Sequence, residues 1–311
     1  MPCFSPLHGF RALRKNPATG KRSITFRPSE GFRDLPVQLP CGQCIGCRLE
    51  HSRQWAIRCA HEASLYERNC FITLTYAPDK LPAWGSLDYS HPVKFMKRLR
   101  KKFGEGIRSY GCGEYGDESK RPHYHICLFN FDFDDRKLWK THRGNKYYLS
   151  ESLQALWPYG HSITADFSFE TAAYVARYVT KKKTGPRKCE YEVFANLETG
   201  EIHSIEPEKP ISVSRRPGIG RPWLEKYRTD VYPGDSIVLL RPGGTILTKP
   251  PKYYDNILDQ LEPGALEPVK AQRRKAAKKN SANSTVDRLR VRETIQLLKA
   301  KKLERGYENE R

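Results

Sequence analysis

The sequence lacks the long hydrophobic runs that membrane proteins need. No stretch approaches the roughly 20 consecutive apolar residues that cross a bilayer, and no apolar leader follows MPCFSPLHGF. We therefore expect a protein that neither spans a membrane nor is secreted. The sequence also contains no G-x-x-x-x-G-K-[ST] loop. This absence excludes a P-loop nucleoside triphosphatase, so any nucleotide-driven step belongs to a partner protein.

Acidic residues are too few to balance the basic ones. The 311 residues include 55 Lys plus Arg against 35 Asp plus Glu, which gives a formal net charge of +20. Such an excess favours a polyanionic partner, and charge alone suits DNA and RNA equally. The 17 Tyr, 13 Phe and 5 Trp also provide rings that can stack on unpaired bases, although most will belong to the core.

The nine cysteines are an odd number, and without a leader they indicate a reduced setting rather than disulfides. Cys41, Cys44 and Cys47 are separated by two residues each, and Cys59 follows on a helix predicted from about residue 48 to 68. Thiolates at this spacing can bind structural Zn²⁺. The second Cys-x-x-Cys pair is missing, so His51 or His61 of the same helix is an alternative ligand. An iron–sulfur cluster and a set of buried reduced thiols are the other interpretations.

A hairpin with three metal-binding side chains is predicted in the middle of the chain. The stretch RPHYHICLF (121–129) has the character of a strand, in which His123 and His125 point to the same face. The strand-like run SYGCGEYG (109–116) precedes it, and antiparallel pairing would bring Glu114 opposite the histidines. Two imidazoles and a carboxylate suit Mg²⁺ or Mn²⁺, and Zn²⁺ is the alternative. An isolated His-x-His pair is more often surface or core filler.

A helix with two tyrosines follows at YVARYVTKKK (174–183). Tyr174 and Tyr178 are four residues apart and so share one side of a helix. The apolar positions form a separate stripe: Ala172, Val175, Ala176 and Val179. The stripe predicts the buried face, and we therefore expect both tyrosines to face away from the core and to be available for chemistry. Lys181 or Lys182, beyond the second tyrosine, could stabilise charge or assist proton transfer.

These stretches resemble the three motifs of the HUH endonucleases, in the version found in replication initiators of small single-stranded DNA phages, the gokushoviruses in particular. The motifs are FITLTY at 71–76, GEYG with RPHYH, and YVARYVTKK, and their order and spacing match. The resemblance extends to CGQCIGCRLEHSRQWAIRCAHE at 41–62 and SRRPGIGRPW at 214–223. It therefore covers roughly the first two-thirds of the chain.

Alternating hairpins with helices on one side indicate an α+β domain. The resemblance implies that this is the HUH fold, a central antiparallel sheet that has the histidine strand in its middle and the tyrosine helix packed over it. It also implies a metal-dependent, site-specific nickase that attacks one strand at the viral origin through Tyr174 or Tyr178. Such an enzyme forms a 5′-phosphotyrosyl intermediate and rejoins the displaced strand.

The implied partners are single-stranded DNA, the origin in the double-stranded replicative form, and a host helicase and DNA polymerase, all in the host bacterial cytoplasm. Two alternatives remain. One is a relaxase, plasmid initiator or transposase of the same superfamily. The other is a non-catalytic, zinc-stabilised nucleic-acid-binding protein.

A strongly basic helix is predicted from His91 to Phe103, with Val93, Met96 and Leu99 facing inward together with Phe103. Its other faces carry six basic residues that form a candidate DNA-binding surface: Lys94, Lys97, Arg98, Arg100, Lys101 and Lys102. A merely solvated basic face is the simpler interpretation. The absence of any carboxylate among these cations favours phosphate contact.

Composition suggests three segments. A nicking domain would span residues 1–235 and include the cysteine-rich segment at 41–59. A Pro- and Gly-rich extension would follow at 236–269. A basic tail, helical or disordered, would occupy residues 270–311, since Lys and Arg outnumber Asp and Glu there.

Overall fold

The computed structural model describes residues 3–18, 20, 22–116, 120–142, 144–181, 193–195, 200–211, 213–241 and 244–301. These residues form two compact units, one within Met1–Glu50 and Ala276–Glu304 and the other within His51–Lys275. Within the described ranges, no helix combines the length and the apolar character that crossing a bilayer requires.

The described part of the second unit is built around a seven-stranded sheet whose neighbouring strands are all antiparallel. In spatial order the strands are β12 (Pro210–Ile211), β5 (Arg108–Tyr115), β6 (Pro122–Phe129), β4 (Asn69–Thr75), β9 (Ser162–Asp166), β8 (Asn145–Leu149) and β7 (Lys137–His142). The histidine strand β6 is therefore interior, between β5 and β4. The predicted α+β architecture with a central antiparallel sheet is confirmed.

The helices of the described chain are α1 (Ile45–Ala63), α2 (Ser90–Phe103), α3 (Glu151–Leu156), α4 (Phe169–Lys181), α5 (Arg221–Val231), α6 (Lys252–Leu261), α7 (Leu266–Lys279) and α8 (Val286–Lys301). Residues of α2 and α3 pack in one core cluster with Ile72 and Leu74 of β4, whereas residues of α1 and α4 pack in another with Phe71. The expectation of helices on one side is wrong. Successive residues of β4 are apolar, so both faces of the sheet need a cover.

The start of α4 is held by reciprocal hydrogen bonds at its first turn. The Thr171 N–H donates to Ser168 Oγ at 3.1 Å, and the Ser168 N–H donates to Thr171 Oγ1 at 2.9 Å. These bonds satisfy backbone donors that a helix start leaves without intrahelical partners. They fix where α4 begins, and Tyr174 lies three residues after Thr171.

Smaller strand pairs lie outside the central sheet. Strands β1 (Leu7–Lys15), β2 (Arg22–Thr25) and β3 (Gly31–Leu39) form a sheet in the first unit, and β10 (Val193–Ala195) pairs with β11 (Ile202–Ser204). In the second unit β13 (Ile237–Arg241) pairs with β14 (Gly244–Thr248). Residues Ile237 and Leu239 of this hairpin pack with Ile257 and Leu258 of α6 in a core cluster that also includes Ile57 of α1, so the Pro- and Gly-rich extension shares a core with α1.

Candidate active site

The β5–β6 hairpin brings the three predicted metal ligands together. Glu114 pairs directly with His123 across the ladder, and His125 lies two residues further along β6 on the same face. The Nε2 atoms of both histidines face one carboxylate oxygen, Glu114 Oε1, at 2.8 Å for His123 and 3.1 Å for His125. The three side chains form a group whose ligand atoms lie within 4.8 Å of one another, which suits a divalent metal.

The surroundings of His123 require a cation or an extra proton between its ring and Glu114. Its Nδ1 lies 3.0 Å from the Arg121 carbonyl oxygen, which can only accept, so Nδ1 carries the hydrogen. A neutral ring then presents a lone pair from Nε2 to the carboxylate. This contact is repulsive unless Nε2 is protonated or both atoms bind a metal ion. Fixing the tautomer through Nδ1 is the usual second contact of a metal-binding histidine.

Thr73 and Phe71 hold the second histidine. Thr73 Oγ1 lies 3.0 Å from His125 Nδ1, and the Phe71 ring stacks on the imidazole with centroids 5.5 Å apart. Both residues belong to the FITLTY stretch on β4, and Thr73 pairs with His125 across the β4–β6 ladder. Sequence reasoning missed this role of Thr73. The FITLTY motif marked the segment, but the pairing of Thr73 with His125 depends on the order of the strands, which local patterns do not reveal.

Glu114 is buried, with 1% of its surface exposed. Burial by itself raises the pKa of the carboxyl, but the charges and hydrogen bonds of His125 and His123 outweigh it and lower the pKa to about 2. The other oxygen, Oε2, is buried and has no hydrogen-bond partner in the part of the chain that the structure describes. A buried ionised oxygen without a partner is costly, and a cation at this position would remove that cost.

The ligand atoms are close enough to share one ion. The two Nε2–Oε1 separations are 2.8 and 3.1 Å, and all three ligand atoms lie within 4.8 Å of one another. Two nitrogens and a carboxylate are a donor set that suits a divalent metal ion.

Tyr174 lies in this site rather than on the outer face of α4. Its side chain is 1% exposed, and its hydroxyl donates to Glu114 Oε1 at 3.1 Å. The ring packs edge-on against His125 and Phe71, with centroids 5.1 and 6.4 Å apart. The expectation that Tyr174 faces away from the core is wrong. Three residues of the apolar stripe, Ala172, Val175 and Ala176, are buried together with Tyr174 because α4 packs closely on the interior strands β5 and β6.

The remaining predicted catalytic residues are described only in part. Tyr178 lies in α4, one turn after Tyr174, and Lys181 is the last residue of that helix. Their side chains, and all of Lys182, lie outside the described residues. Their roles as second nucleophile and charge-stabilising groups stay predictions.

The cysteines group differently from the expectation. Cys41, Cys44 and Cys47 come together with Cys3, whereas Cys59 is fully buried in the apolar cluster beneath α1 and α4. The prediction that Cys59 belongs to this group, which rested on its closeness in sequence, is wrong. Cys59 follows the other three by only 12 residues, but the course of α1 carries it into the core of the sheet. Cys3 carried no local signal because it is 38 residues from Cys41.

The basic helix α2 contains two kinds of cation. Lys94, Lys97, Lys101 and Lys102 are exposed, which suits phosphate contacts. Arg98 instead donates to the Leu156 carbonyl oxygen at 2.8 and 3.0 Å, and Arg100 to that of Ile107 at 3.2 and 3.4 Å. These two arginines are half-buried and contribute to structure. The predicted inward positions Val93 and Phe103 are wrong, since both are exposed and Phe95 is buried with Met96 and Leu99.

The chain is similar to known phage replication proteins. The family model for replication-associated protein ORF2/G2P matches residues 69–183, which include the hairpin and α4. The replication-associated protein VP4 of Bdellovibrio phage phiMH2K is 32% identical, in an alignment that covers 82% of this chain and 76% of that protein. The replication-associated protein ORF2 of Spiroplasma virus 4 is 31% identical, with 78% and 74% covered. No solved structure gives a significant match.

A third relative, the replication-associated protein ORF4 of Chlamydia phage 1, is 35% identical over 74% of this chain and 55% of its own length. The fold and the candidate site define the class of protein. The fold is antiparallel α+β, and the site has two histidines and one carboxylate beside a tyrosine on a helix. The chain belongs to the family of phage replication-associated proteins. The resemblance to replication initiators of small phages is thereby confirmed.

Proposed function

We propose that this protein initiates rolling-circle replication by nicking one strand of the phage origin with a tyrosine and later rejoining the displaced strand. One observation supports the proposal most. The Tyr174 hydroxyl and the imidazoles of His123 and His125 all converge on the same buried oxygen, Glu114 Oε1. Binding nucleic acid alone does not require a buried, ionised carboxylate with two histidines beside a tyrosine hydroxyl.

Glu114 orients the nucleophile. A tyrosine hydroxyl has an ordinary pKa near 10 and is a weak nucleophile at neutral pH. Glu114 has a pKa of about 2, so it is ionised at neutral pH and accepts the Tyr174 hydrogen. This hydrogen bond polarises the O–H bond and directs a lone pair of the phenolic oxygen away from the carboxylate. The side chain of His123 is 17% exposed, and the scissile phosphate would enter on that side.

A divalent metal, which we propose to be Mg²⁺ or Mn²⁺, would be held by Glu114, His123 and His125. When bound, it polarises the phosphodiester and offsets the negative charge that develops on phosphate and phenolate. The chain supplies the geometry for this role. Thr73 orients His125 from the neighbouring strand β4, and the Arg121 carbonyl, which lies just before β6, orients His123.

The proposed reaction exchanges one phosphodiester for another. The phenolic oxygen forms a bond to phosphorus, the bond from phosphorus to the 3′ oxygen breaks, and the proton lost by tyrosine is balanced by one gained at the new 3′ hydroxyl. The 5′ phosphate is then an ester of tyrosine. Attack by a 3′ hydroxyl reverses these steps and joins the strand without nucleotide hydrolysis. Two tyrosines one turn apart would allow one to cut while the other still carries DNA.

Unwinding and synthesis require other proteins under this proposal, since the sequence has no P-loop. We propose a host helicase and a host DNA polymerase as partners, and the cytoplasm of the host bacterium as the place of the reaction. The positive charge of the chain favours the single strand that these partners expose.

The test is incubation of the purified protein with supercoiled replicative-form DNA of the phage and Mg²⁺. The expected product is an open circle with protein attached to its 5′ end, and peptide mapping should place the adduct on Tyr174 or Tyr178. The chelator EDTA should abolish the product. The matched control is Tyr110→Phe, because Tyr110 is also buried beneath α1 and α4 and its hydroxyl has no partner among the described residues.

An adduct on Tyr115 or Tyr124 would contradict the proposed site. Tyr124 alternates with the histidines on β6 and therefore lies on the opposite face, where its hydroxyl bonds Tyr76 and Asp88. Open circles without attached protein would indicate a hydrolytic nuclease instead of a strand-transfer enzyme.

A further inference from the structure

Four cysteine sulfurs converge in the first compact unit. Cys41 Sγ lies 4.0 Å from Cys47 Sγ, and Cys44 Sγ lies 4.0 Å from Cys3 Sγ. All four sulfurs lie within 4.8 Å of one another. Three of the residues come from the turn before α1 and its first turn, and the fourth comes from the segment that precedes β1.

These separations are close to those of a tetrahedral thiolate site. With Zn–S bonds of about 2.3 Å, neighbouring sulfurs stand about 3.8 Å apart. The observed sulfurs therefore need to approach by less than about 1 Å to surround one ion. A disulfide has an S–S bond of about 2.0 Å, and all four thiols are free in the structure.

The backbone around the group donates to sulfur. The Cys41 N–H donates to Cys3 Sγ and the Phe4 N–H donates to Cys44 Sγ, both at 3.3 Å. Cys41 Sγ receives the N–H groups of Gln43 at 3.5 Å and Cys44 at 3.3 Å. Gly42, with φ of 75°, makes the turn that aims these donors. Donors of this kind orient and stabilise thiolate ligands of a metal.

The four residues also differ from the other described cysteines. Cys59, Cys70, Cys112 and Cys127 each belong to an apolar core cluster, where a thiol acts as a small hydrophobic group. Within the described residues, none of the converging four belongs to such a cluster. Ordinary packing of reduced thiols does not explain why sulfurs from two distant segments meet here.

We propose that Cys3, Cys41, Cys44 and Cys47 bind one structural Zn²⁺, and that Cys59 has no part in it. The ion would tie the N-terminal segment to the start of α1 and so stabilise the first unit. This site is independent of the proposed nicking chemistry. It uses four soft thiolates, whereas the other group offers imidazole and carboxylate, so the two would select different ions.

The experiment measures metal in the full-length protein carrying His123→Ala and His125→Ala, which removes the other group. Elemental analysis is expected to find one zinc for each chain. Cys3→Ala and Cys44→Ala should each lose that zinc, and the matched control Cys59→Ala should keep it. Replacement by Co²⁺ should give the visible bands and the sulfur-to-metal charge transfer of tetrahedral thiolate coordination.

Zinc retained in Cys3→Ala but lost in Cys59→Ala would overturn the proposed ligand set. Iron with inorganic sulfide, or a metal-free protein that shows no thiolate bands on titration with Co²⁺, would overturn the zinc site itself. The Co²⁺ titration uses unaltered cysteines and therefore decides the matter even if a cysteine variant fails to fold. Removal of zinc by a chelator should also speed trypsin cleavage between Phe4 and Leu39.

Discussion

One oxygen of Glu114 receives three contacts, and the other receives none from described residues. A substitution that keeps the size of the side chain can therefore test the role of its charge. The change Glu114→Gln keeps the size of the side chain and removes the charge that a metal requires. We expect the affinity for Mn²⁺ to fall by about 10-fold or more, measured by electron paramagnetic resonance of the free ion. Metal-free DNA binding at low salt should be unchanged.

The matched control is Glu105→Gln, which removes the same charge from an exposed position after α2. It should bind Mn²⁺ like the unaltered protein. Equal Mn²⁺ affinity in Glu114→Gln would mean that the carboxylate is not a ligand and that the two histidines bind without it.

His61 makes a second prediction at the scale of one residue. Its ring, on α1, is buried. It stacks on Trp223 with centroids 3.4 Å apart, and its Nδ1 lies 2.9 Å from the Tyr254 hydroxyl. Burial lowers the pKa of His61 to about 3. Between pH 3 and about 6.5 the unfolded chain binds more protons than the folded chain, so stability falls as the pH falls.

We expect His61→Phe to lose part of this dependence. The variant keeps an aromatic ring on Trp223 but has no group to protonate at this position. As the pH falls from 6 to 4, the unfolding free energy of the unaltered protein should fall relative to that of the variant by up to about 1.4 kcal/mol for each pH unit. Urea denaturation at several pH values measures it. Parallel pH curves would show that His61 is protonated alike in both states.

At the scale of elements, the β5–β6 ladder sets the distance between Glu114 and the histidines. A Cβ added at Gly111 would lie 2.7 Å from the His125 carbonyl oxygen and 2.9 Å from Ile126 Cγ1, so β5 and β6 would have to move apart. We expect Gly111→Ala to cost about 1–3 kcal/mol of stability and to weaken Mn²⁺ binding. Thermal unfolding and the Mn²⁺ titration measure the two effects.

Gly234→Ala is the control for this substitution, since an added Cβ there meets nothing closer than 3.8 Å. It should leave both measurements close to those of the unaltered protein. A Gly111→Ala protein with full stability and unchanged Mn²⁺ affinity would show that the ladder can absorb the extra atom.

Helix α2 gives a prediction that separates binding from folding. Replacing the four exposed residues Lys94, Lys97, Lys101 and Lys102 with Ala removes charge while leaving the buried side of the helix intact. The affinity for single-stranded DNA should fall, and the slope of log affinity against log salt should shrink by about 0.7 for each phosphate that the variant no longer neutralises. Fluorescence anisotropy over a range of salt measures it. An unchanged slope would mean that this face does not bind DNA.

Arg98→Ala provides the comparison. Because Arg98 donates to the Leu156 carbonyl oxygen, Arg98→Ala should lower the melting temperature and leave the salt slope unchanged. An unchanged melting temperature with a smaller salt slope would assign Arg98 to DNA binding.

At the scale of the whole molecule, complete rolling-circle replication needs more than one cleavage. If Tyr174 and Tyr178 alternate, either single Phe variant should retain some nicking of an origin oligonucleotide, and the double variant should retain none. Both single variants should fail to release closed circles in a reaction with host helicase and polymerase. Gel analysis of circular products measures this outcome. Full circle release by one single variant would assign its tyrosine to packing alone.

The sequence by itself determined the features that depend on local periodicity. Alternation along a strand puts His123 and His125 on one face, and a short turn places Glu114 opposite them, so the metal group required no knowledge of the rest of the fold. The spacing of the tyrosines on one helix and the basic character of α2 are local in the same sense. The excess of positive charge is a property of composition and indicates a polyanionic partner.

Tertiary structure alone decided how these elements face one another. A helical stripe predicts one buried side, but α4 packs so closely on β5 and β6 that Tyr174 is buried as well and reaches Glu114. Cys3 joins cysteines 38 or more residues away, and Arg98 finds a carbonyl group on another helix. The spacing of apolar and polar residues shows whether a segment is a helix or a strand and which of its residues share a face. The partners of its side chains depend on long-range packing, which brings together residues that the sequence keeps far apart.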